Sequence, residues 1–168
     1  ADCAGLIKRK NFKNGQMESY VFFDNDGKLL SSDKGKRRHL HLNAFSPYGN
    51  RAAVGDYIDG QREGLWTFYD TYGQLSGVEN YKAGKLNGIV INYLNNGDTD
   101  NVIIYKDGNK NGYYRGYYHI KTLEKEGWYQ NDLAQGDWYF YNVKNILTAH
   151  SYYLNDNSYG WQYSYDEL

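Results

Sequence analysis

The sequence predicts an all-β protein, an elongated antiparallel meander of tandem β-hairpins with a period of 24 residues. Three observations lead to this fold class. The 168 residues include 20 Tyr and 19 Gly but one Pro, a composition that favours strands and turns over helices. No segment carries the sustained apolar stripe of an amphipathic helix. The third observation is a strict internal repeat.

Three residue columns recur every 24 residues in five consecutive units. Each unit has a Tyr, a Gly seven residues later and a second Tyr five residues after that. The columns are Tyr57, Tyr81, Tyr105, Tyr129 and Tyr153; Gly64, Gly88, Gly112, Gly136 and Gly160; and Tyr69, Tyr93, Tyr117, Tyr141 and Tyr165. Such columns are typical of a scaffold, because each repeat buries its surface against its neighbours.

Each unit is predicted to form one hairpin. Residues 64–69 alternate between two faces, as a strand does. Residues 70–73 form a turn that ends in a Gly, which supplies the positive φ that such turns require. A second strand covers about 75–81, and the turn at 82–85 leads into the next unit.

Two weaker Gly columns are incomplete. Asp132 and Asp156 stand where earlier units have Gly, and Lys121 and Asn145 replace the Gly of the other turn. These departures leave the local turn geometry open, whereas the architecture does not depend on them.

The repeats divide the chain into two parts. Residues 1–50 are predicted to be degenerate repeats that cap the array, with Phe45 and Gly49 fitting one earlier unit. Residues 51–168 hold five regular repeats, continuous with the cap as one domain.

The unit motif Tyr-x-x-Gly-x-x-x-Gly-x-Trp-x-x-Tyr-x-x-x-Gly-x-Leu resembles the MORN repeat. The matching residues of one unit are Tyr57, Gly60, Gly64, Trp66, Tyr69, Gly73 and Leu75. The resemblance covers about residues 33–168. The sequence is most similar to bacterial MORN variants, some of which are antitoxin-like proteins encoded beside toxin genes. It implies an array of hairpins that serves as a protein-binding or scaffolding module, and in some members a lipid-binding one.

Aromatic residues outside the columns concentrate after residue 112 and resemble the Tyr-rich composition of binding surfaces. We predict that they contact a partner protein. The predicted contact residues are Trp66, Tyr113, Tyr114, Tyr118, Trp128, Trp138, Tyr139, Phe140 and Trp161. Trp66, Tyr114 and Trp138 occupy the same place in their repeats and form a row on one face. That row is either an exposed patch or the thin core of a curled sheet.

The net charge of −1 argues against nucleic acid as the partner. Residues 1–40 nevertheless hold nine Lys and Arg against five Asp and Glu. An alternative function is therefore a membrane-associated scaffold that binds anionic lipid through this segment. The predicted lipid contacts are Lys34, Lys36, Arg37 and Arg38.

Few residues suggest catalysis or metal binding. His39 and His41 share a strand face, but a metal site needs further ligands, and the single Cys3 has no His near it in sequence. No phosphate loop, nucleophile elbow or zinc-protease motif is present. We expect no enzymatic activity, no cofactor and no metal.

The combined expectation is an antitoxin or immunity protein that binds a cognate toxin and blocks it by steric occlusion. We expect a monomer or weak self-association through open sheet edges. The segment Ala-Asp-Cys-Ala at the start fits a mature terminus left after signal-peptide removal, which predicts an extracytoplasmic, periplasmic protein. Without such processing the protein is expected in the cytoplasm.

Overall fold

The structure, a computed structural model, describes residues 7–13, 16–23, 29–31, 39–119 and 121–164, and the side chains of 39–119 and 121–159. Within these ranges all regular structure is β, which confirms the predicted fold class. The same ranges contain no helix that is long and apolar enough to cross a membrane.

The strands form two sheets. The smaller one is antiparallel and consists of β1 (Ile7–Lys13), β2 (Gln16–Phe23) and β3 (Leu29–Ser31). The larger one has 12 strands: β4 (His39–Phe45), β5 (Arg51–Ile58), β6 (Gln61–Tyr69), β7 (Leu75–Lys82), β8 (Lys85–Leu86), β9 (Gly88–Tyr93), β10 (Thr99–Lys106), β11 (Asn109–Tyr117), β12 (Leu123–Gln130), β13 (Leu133–Tyr141), β14 (Leu147–Leu154) and β15 (Asn157–Ser164).

The larger sheet is an open antiparallel meander in which spatial order follows chain order from β4 to β15. The short β8 pairs only with β7 and lies off this path. At the start of this sheet β4 pairs with β5, and the division of the chain at residue 51 stays a prediction. That the two sheets form one domain stays a prediction.

The wide turns, which follow β4, β6, β9, β11 and β13, keep one geometry although their Gly is replaced in two repeats. Lys121 and Asn145 adopt φ values of 65° and 61°, close to the left-handed region of Gly73 at 82°. The backbone N–H of Lys121 donates to Tyr118 O at 2.9 Å, as that of Gly73 donates to Asp70 O at 3.1 Å. The turn is therefore conserved in shape without its Gly.

The tight turns at the opposite rim are stacked by backbone hydrogen bonds between neighbouring repeats. The N–H of Gly84 donates to Arg62 O at 2.9 Å, and that of Asp132 donates to Lys110 O at 2.9 Å. Asp132 adds a second bond, because its Oδ1 accepts the N–H of Lys110 at 2.7 Å. Asp132 adopts a left-handed backbone with a φ of 69°. Its side-chain hydrogen bond, which a Gly could not form, offsets the cost of that conformation.

Four Gly residues of the main column, Gly64, Gly112, Gly136 and Gly160, lie in β-bulges that direct the following side chains. Val54 pairs with Thr67 and Asp56 pairs with Glu63, so residues 64–66 all lie opposite Gly55. Gly64 takes up this excess with a φ of 69°. The bulge places the Trp66 indole over Gly55, on the face that we call the inner face.

The inner face holds the core, which includes two aromatic clusters three repeats apart and the buried aliphatic residues Val90 and Ile103. Trp66 is 1% exposed and Trp138 is 4% exposed. The Trp66 ring lies 4.9 Å from Tyr57 and 6.2 Å from Tyr81. The second cluster repeats this arrangement, with Trp138 5.0 Å from Tyr129 and 6.2 Å from Tyr153.

An arginine side chain, Arg62, packs on the first aromatic cluster. The Arg62 guanidinium lies 4.6 Å from the Trp66 ring centroid and donates to the Tyr81 hydroxyl at 2.7 Å. Burial lowers the pKa of Arg62, but hydrogen bonds with Tyr57 and Tyr81 outweigh burial and raise it. The guanidinium therefore stays charged while it packs on the aromatic core.

Candidate protein-binding surface

The sheet divides the predicted contact residues between its two faces. Trp66, Tyr114 and Trp138 lie on the inner face, where burial raises the pKa of the Tyr114 hydroxyl to about 12. Phe140 follows Trp138 by two residues and shares that face. Of the two interpretations of this row, the thin core is the one that describes Trp66 and Trp138, because both are buried.

The opposite face, which we call the outer face, carries three of the predicted residues. Trp128 and Tyr113 face each other across β11 and β12, and Tyr139 pairs with Glu126. Tyr118 lies in a wide turn, where its hydroxyl donates to Tyr141 O at 3.0 Å.

The remaining predicted residues lie outside the described side chains. They are Trp161, Lys34, Lys36, Arg37 and Arg38. The lipid-binding alternative, which rests on the last four, stays a prediction.

Four exposed apolar side chains lie together on the outer face of β12–β15, and we call them the outer patch. They are Trp128, Tyr152, Leu154 and Tyr159, with exposures of 48%, 46%, 44% and 60%. Tyr152 pairs directly with Tyr159, and Gln135 lies between Trp128 and Leu154, since it pairs with both. The patch therefore spans four adjacent strands.

A carboxylate beside the outer patch organises its polar border. Glu126 accepts hydrogen bonds from the Tyr113 hydroxyl at 2.5 Å, the Tyr141 hydroxyl at 3.0 Å and Arg115 Nε at 3.1 Å. Burial acts to raise the pKa of Glu126, but these three donors outweigh it and lower that pKa. The network fixes side chains from three strands, which gives the patch a rigid border.

A second polar group lies within the patch. His150 stacks on Tyr139, with ring centroids 4.7 Å apart and planes 10° from parallel. Its Nε2 lies 2.7 Å from Asp137 Oδ1. Because Asp137 pairs with Tyr152, its carboxylate stands beside an exposed aromatic ring.

Sequence reasoning did not place Tyr152 and Tyr159 in the contact set. It also passed over Tyr48 and Tyr72, which lie in adjacent wide turns and are 81% and 79% exposed. A usable signal was present for Tyr152, since it follows Trp128 by one 24-residue period and equivalent positions of a repeat share a face.

Two other features of the described residues bring polar groups together. His39 Nε2 and His41 Nδ1 lie 3.2 Å and 2.8 Å from the same Asp56 oxygen, yet the described residues contain no group of three or more His, Cys, Asp or Glu suited to a metal ion. Two open clefts of about 370 Å³ each adjoin Lys121 at the wide-turn rim. There Lys121 Nζ forms an ion pair with Asp98 at 3.0 Å.

Comparisons with known proteins do not assign a family. No protein-family model matches the chain, and no curated protein matches it. A solved structure described as the crystal structure of TarM matches 79% of this chain and 22% of its own, at 11% identity and a TM-score of 0.23. The chain thus spans about a fifth of that structure's length, and at this TM-score the likeness carries no argument.

Proposed function

We propose that this protein is a non-enzymatic, MORN-like binding module that acts as an antitoxin or immunity protein. It binds a cognate toxin through the outer patch and blocks the toxin by steric occlusion. The observation that carries the proposal is the cluster of half-exposed Trp, Tyr and Leu side chains on one face of the sheet. Large exposed aromatic residues are enriched at protein interfaces.

The polar border of the outer patch supports a role in protein binding. Aromatic side chains lose little conformational entropy on binding, and a rigid border lowers the cost further. The three hydrogen bonds to Glu126 and the stacking of His150 on Tyr139 supply such a border. The patch is therefore suited to bind a partner without rearrangement of the sheet.

The proposal is tested by affinity capture from the native lysate with the full chain as bait. The patch variant carries Trp128→Ala and Tyr152→Ala. The matched control carries Tyr48→Ala and Tyr72→Ala, which removes two aromatic rings that are more exposed but lie at the wide-turn rim. We expect one stoichiometric protein to be retained by the wild type and the control and lost by the patch variant.

The captured protein is then expressed alone and together with the bait. We expect growth arrest when it is expressed alone and recovery with the wild-type bait, but no recovery with the patch variant. A captured protein that does not arrest growth would contradict the antitoxin function. Equal capture by the patch variant and the wild type would contradict the assigned surface.

A further inference from the structure

We propose that the outer patch recognises a basic segment of its protein partner, whose Arg or Lys side chains lie over the Trp128 and Tyr152 rings and pair with Asp137. This inference rests on the proposed function and adds the chemistry of the partner. Three sets of observations support it: the charge of this face, the uncovered aromatic rings and the position of one carboxylate.

The outer face of β12–β15 carries no Lys or Arg; the basic groups next to it are Arg115 of β11, which pairs with Glu126, and His150, which contacts Asp137. Residues 123–159 include two lysines, and neither belongs to this face. Lys125 pairs with Phe140 and Gly116, which are inner-face positions, and Lys144 lies in the wide turn between β13 and β14. The described acidic residues near the patch are Asp137, Glu126, which Arg115 already pairs, and, at the tight-turn rim, Asp132 and Asp156. A positively charged partner segment complements this surface.

The Trp128 and Tyr152 rings are half-exposed, whereas three other aromatic rings of the described chain have a cation packed on them. Arg62 lies 4.6 Å from the Trp66 centroid, Lys110 Nζ lies 4.9 Å from that of Tyr129 and Arg115 lies 5.2 Å from that of Tyr113. Within the described part of the chain, no Lys or Arg lies over Trp128 or Tyr152. The exposed parts of these two rings are therefore suited to receive a cation from a partner.

Asp137 is placed to complete such a contact. It pairs with Tyr152 across β13 and β14, and its side chain is 52% exposed although one oxygen contacts His150. A guanidinium over the Tyr152 ring lies within reach of this carboxylate, because directly paired residues have Cβ atoms about 5 Å apart. Arg suits the site better than Lys, since its planar group stacks on rings while it donates hydrogen bonds.

A nine-residue oligo-arginine peptide serves as the probe, with affinity for the full chain measured by titration calorimetry. We expect Trp128→Ala and Asp137→Asn each to weaken binding about fivefold. The matched controls are Tyr72→Ala, another exposed aromatic residue, and Asp107→Asn, which removes the same charge at the rim between β10 and β11. Both controls are expected to bind as the wild type does. Thermal unfolding verifies that each variant is folded.

The outcomes separate this inference from the proposed function. Equal loss in patch and control variants, or no binding of oligo-arginine by the wild type, overturns the basic-partner inference. A toxin that is captured and neutralised, but whose binding is unaffected by salt and by Asp137→Asn, overturns the inference and leaves the proposed function standing. Oligo-arginine binding that depends on Trp128 and Asp137, without any toxin in the capture experiment, supports the inference and contradicts the antitoxin function.

Discussion

The Trp66 indole lies directly against the backbone of Gly55 on the neighbouring strand. A Cβ at residue 55 would fall 2.2 Å from Cδ2 of that indole, and a Cβ at Gly127 would fall 2.2 Å from Cδ2 of Trp138. In both pairs the Trp follows the Gly by 11 residues. Each large ring is therefore buried because the paired strand offers a position without a side chain.

Gly55→Ala is expected to destabilise the fold, because the added methyl group overlaps the Trp66 ring. Overpacking of this kind costs about 1–3 kcal/mol or more in free energy of unfolding. The matched control is Gly77→Ala, where the nearest atom to an added Cβ is Ile91 O at an ordinary 3.5 Å. Urea unfolding measures both variants, and a Gly55→Ala protein as stable as the control would refute the packing role.

Truncation of Trp138 is expected to destabilise the fold much more than truncation of Trp128. Trp138 is 4% exposed, so Trp138→Ala opens a cavity in the second aromatic cluster and costs about 3–5 kcal/mol. Trp128 is 48% exposed, and Trp128→Ala is expected to cost about 1 kcal/mol or less. Denaturant midpoints and slopes for the two variants measure this. A larger loss of stability for Trp128→Ala would show that the outer patch is part of the core.

Substitutions at Asp132 are expected to follow the order Asn, Gly, Ala from most to least stable. Asn keeps both the side-chain acceptor and a tolerance for the left-handed φ of 69°, whereas Gly keeps only the backbone freedom. Ala loses the hydrogen bond to the Lys110 N–H and strains the backbone, at a cost of about 2 kcal/mol. Thermal unfolding of the three variants ranks them. If Ala equals Asn, the Asp132 side chain does not stabilise the turn.

The pH dependence of stability is expected to reveal the Glu126 network. The folded-state pKa of Glu126 lies below its usual value of 4.5, so the unfolded chain binds this proton more readily. The carboxylate therefore stabilises the fold above about pH 4.5, and this contribution is lost as pH falls through the lowered pKa. Urea unfolding measures the free energy of unfolding of the wild type and of Glu126→Gln. The difference between the two values should shrink over that acid range.

Tyr113→Phe provides a second reading of the same network, since it removes one of the three donors to Glu126. The difference in free energy of unfolding between the wild type and Tyr113→Phe should also shrink as the pH falls. The change should be smaller than that for Glu126→Gln. If the difference in free energy of unfolding between the wild type and Glu126→Gln is constant from pH 7 into the acid range, the lowered pKa of Glu126 is contradicted.

The period of the sequence was sufficient to predict the all-β meander and the location of its turns. It also predicted that Lys121, Asn145, Asp132 and Asp156 would leave the architecture intact, and their left-handed backbones agree. These features were predictable because strand alternation and turn conformation depend on residues close in sequence. The antitoxin function, the partner and the lipid alternative stay predictions.

The candidate surface was only partly predictable. The predicted contact set mixed core residues such as Trp138 with outer-face residues such as Trp128, ten positions apart. Odd and even positions of a regular strand point to opposite faces. The bulge at Gly136 interrupts this alternation, because it places residues 136–138 opposite the single residue Gly127. Composition alone does not show which aromatic ring has a Gly beneath it.

The repeat, the strands, the turns and the all-β class follow from local backbone preferences repeated every 24 residues, and the amino-acid sequence is sufficient to predict them. Which aromatic side chains form the core and which form the outer patch depends on how the strands assemble. That choice depends on cross-strand partners: Trp138 is buried over Gly127, whereas Trp128 faces outward beside Gln135. Side-chain burial is set by the register between strands, and the register is a property of the assembled sheet.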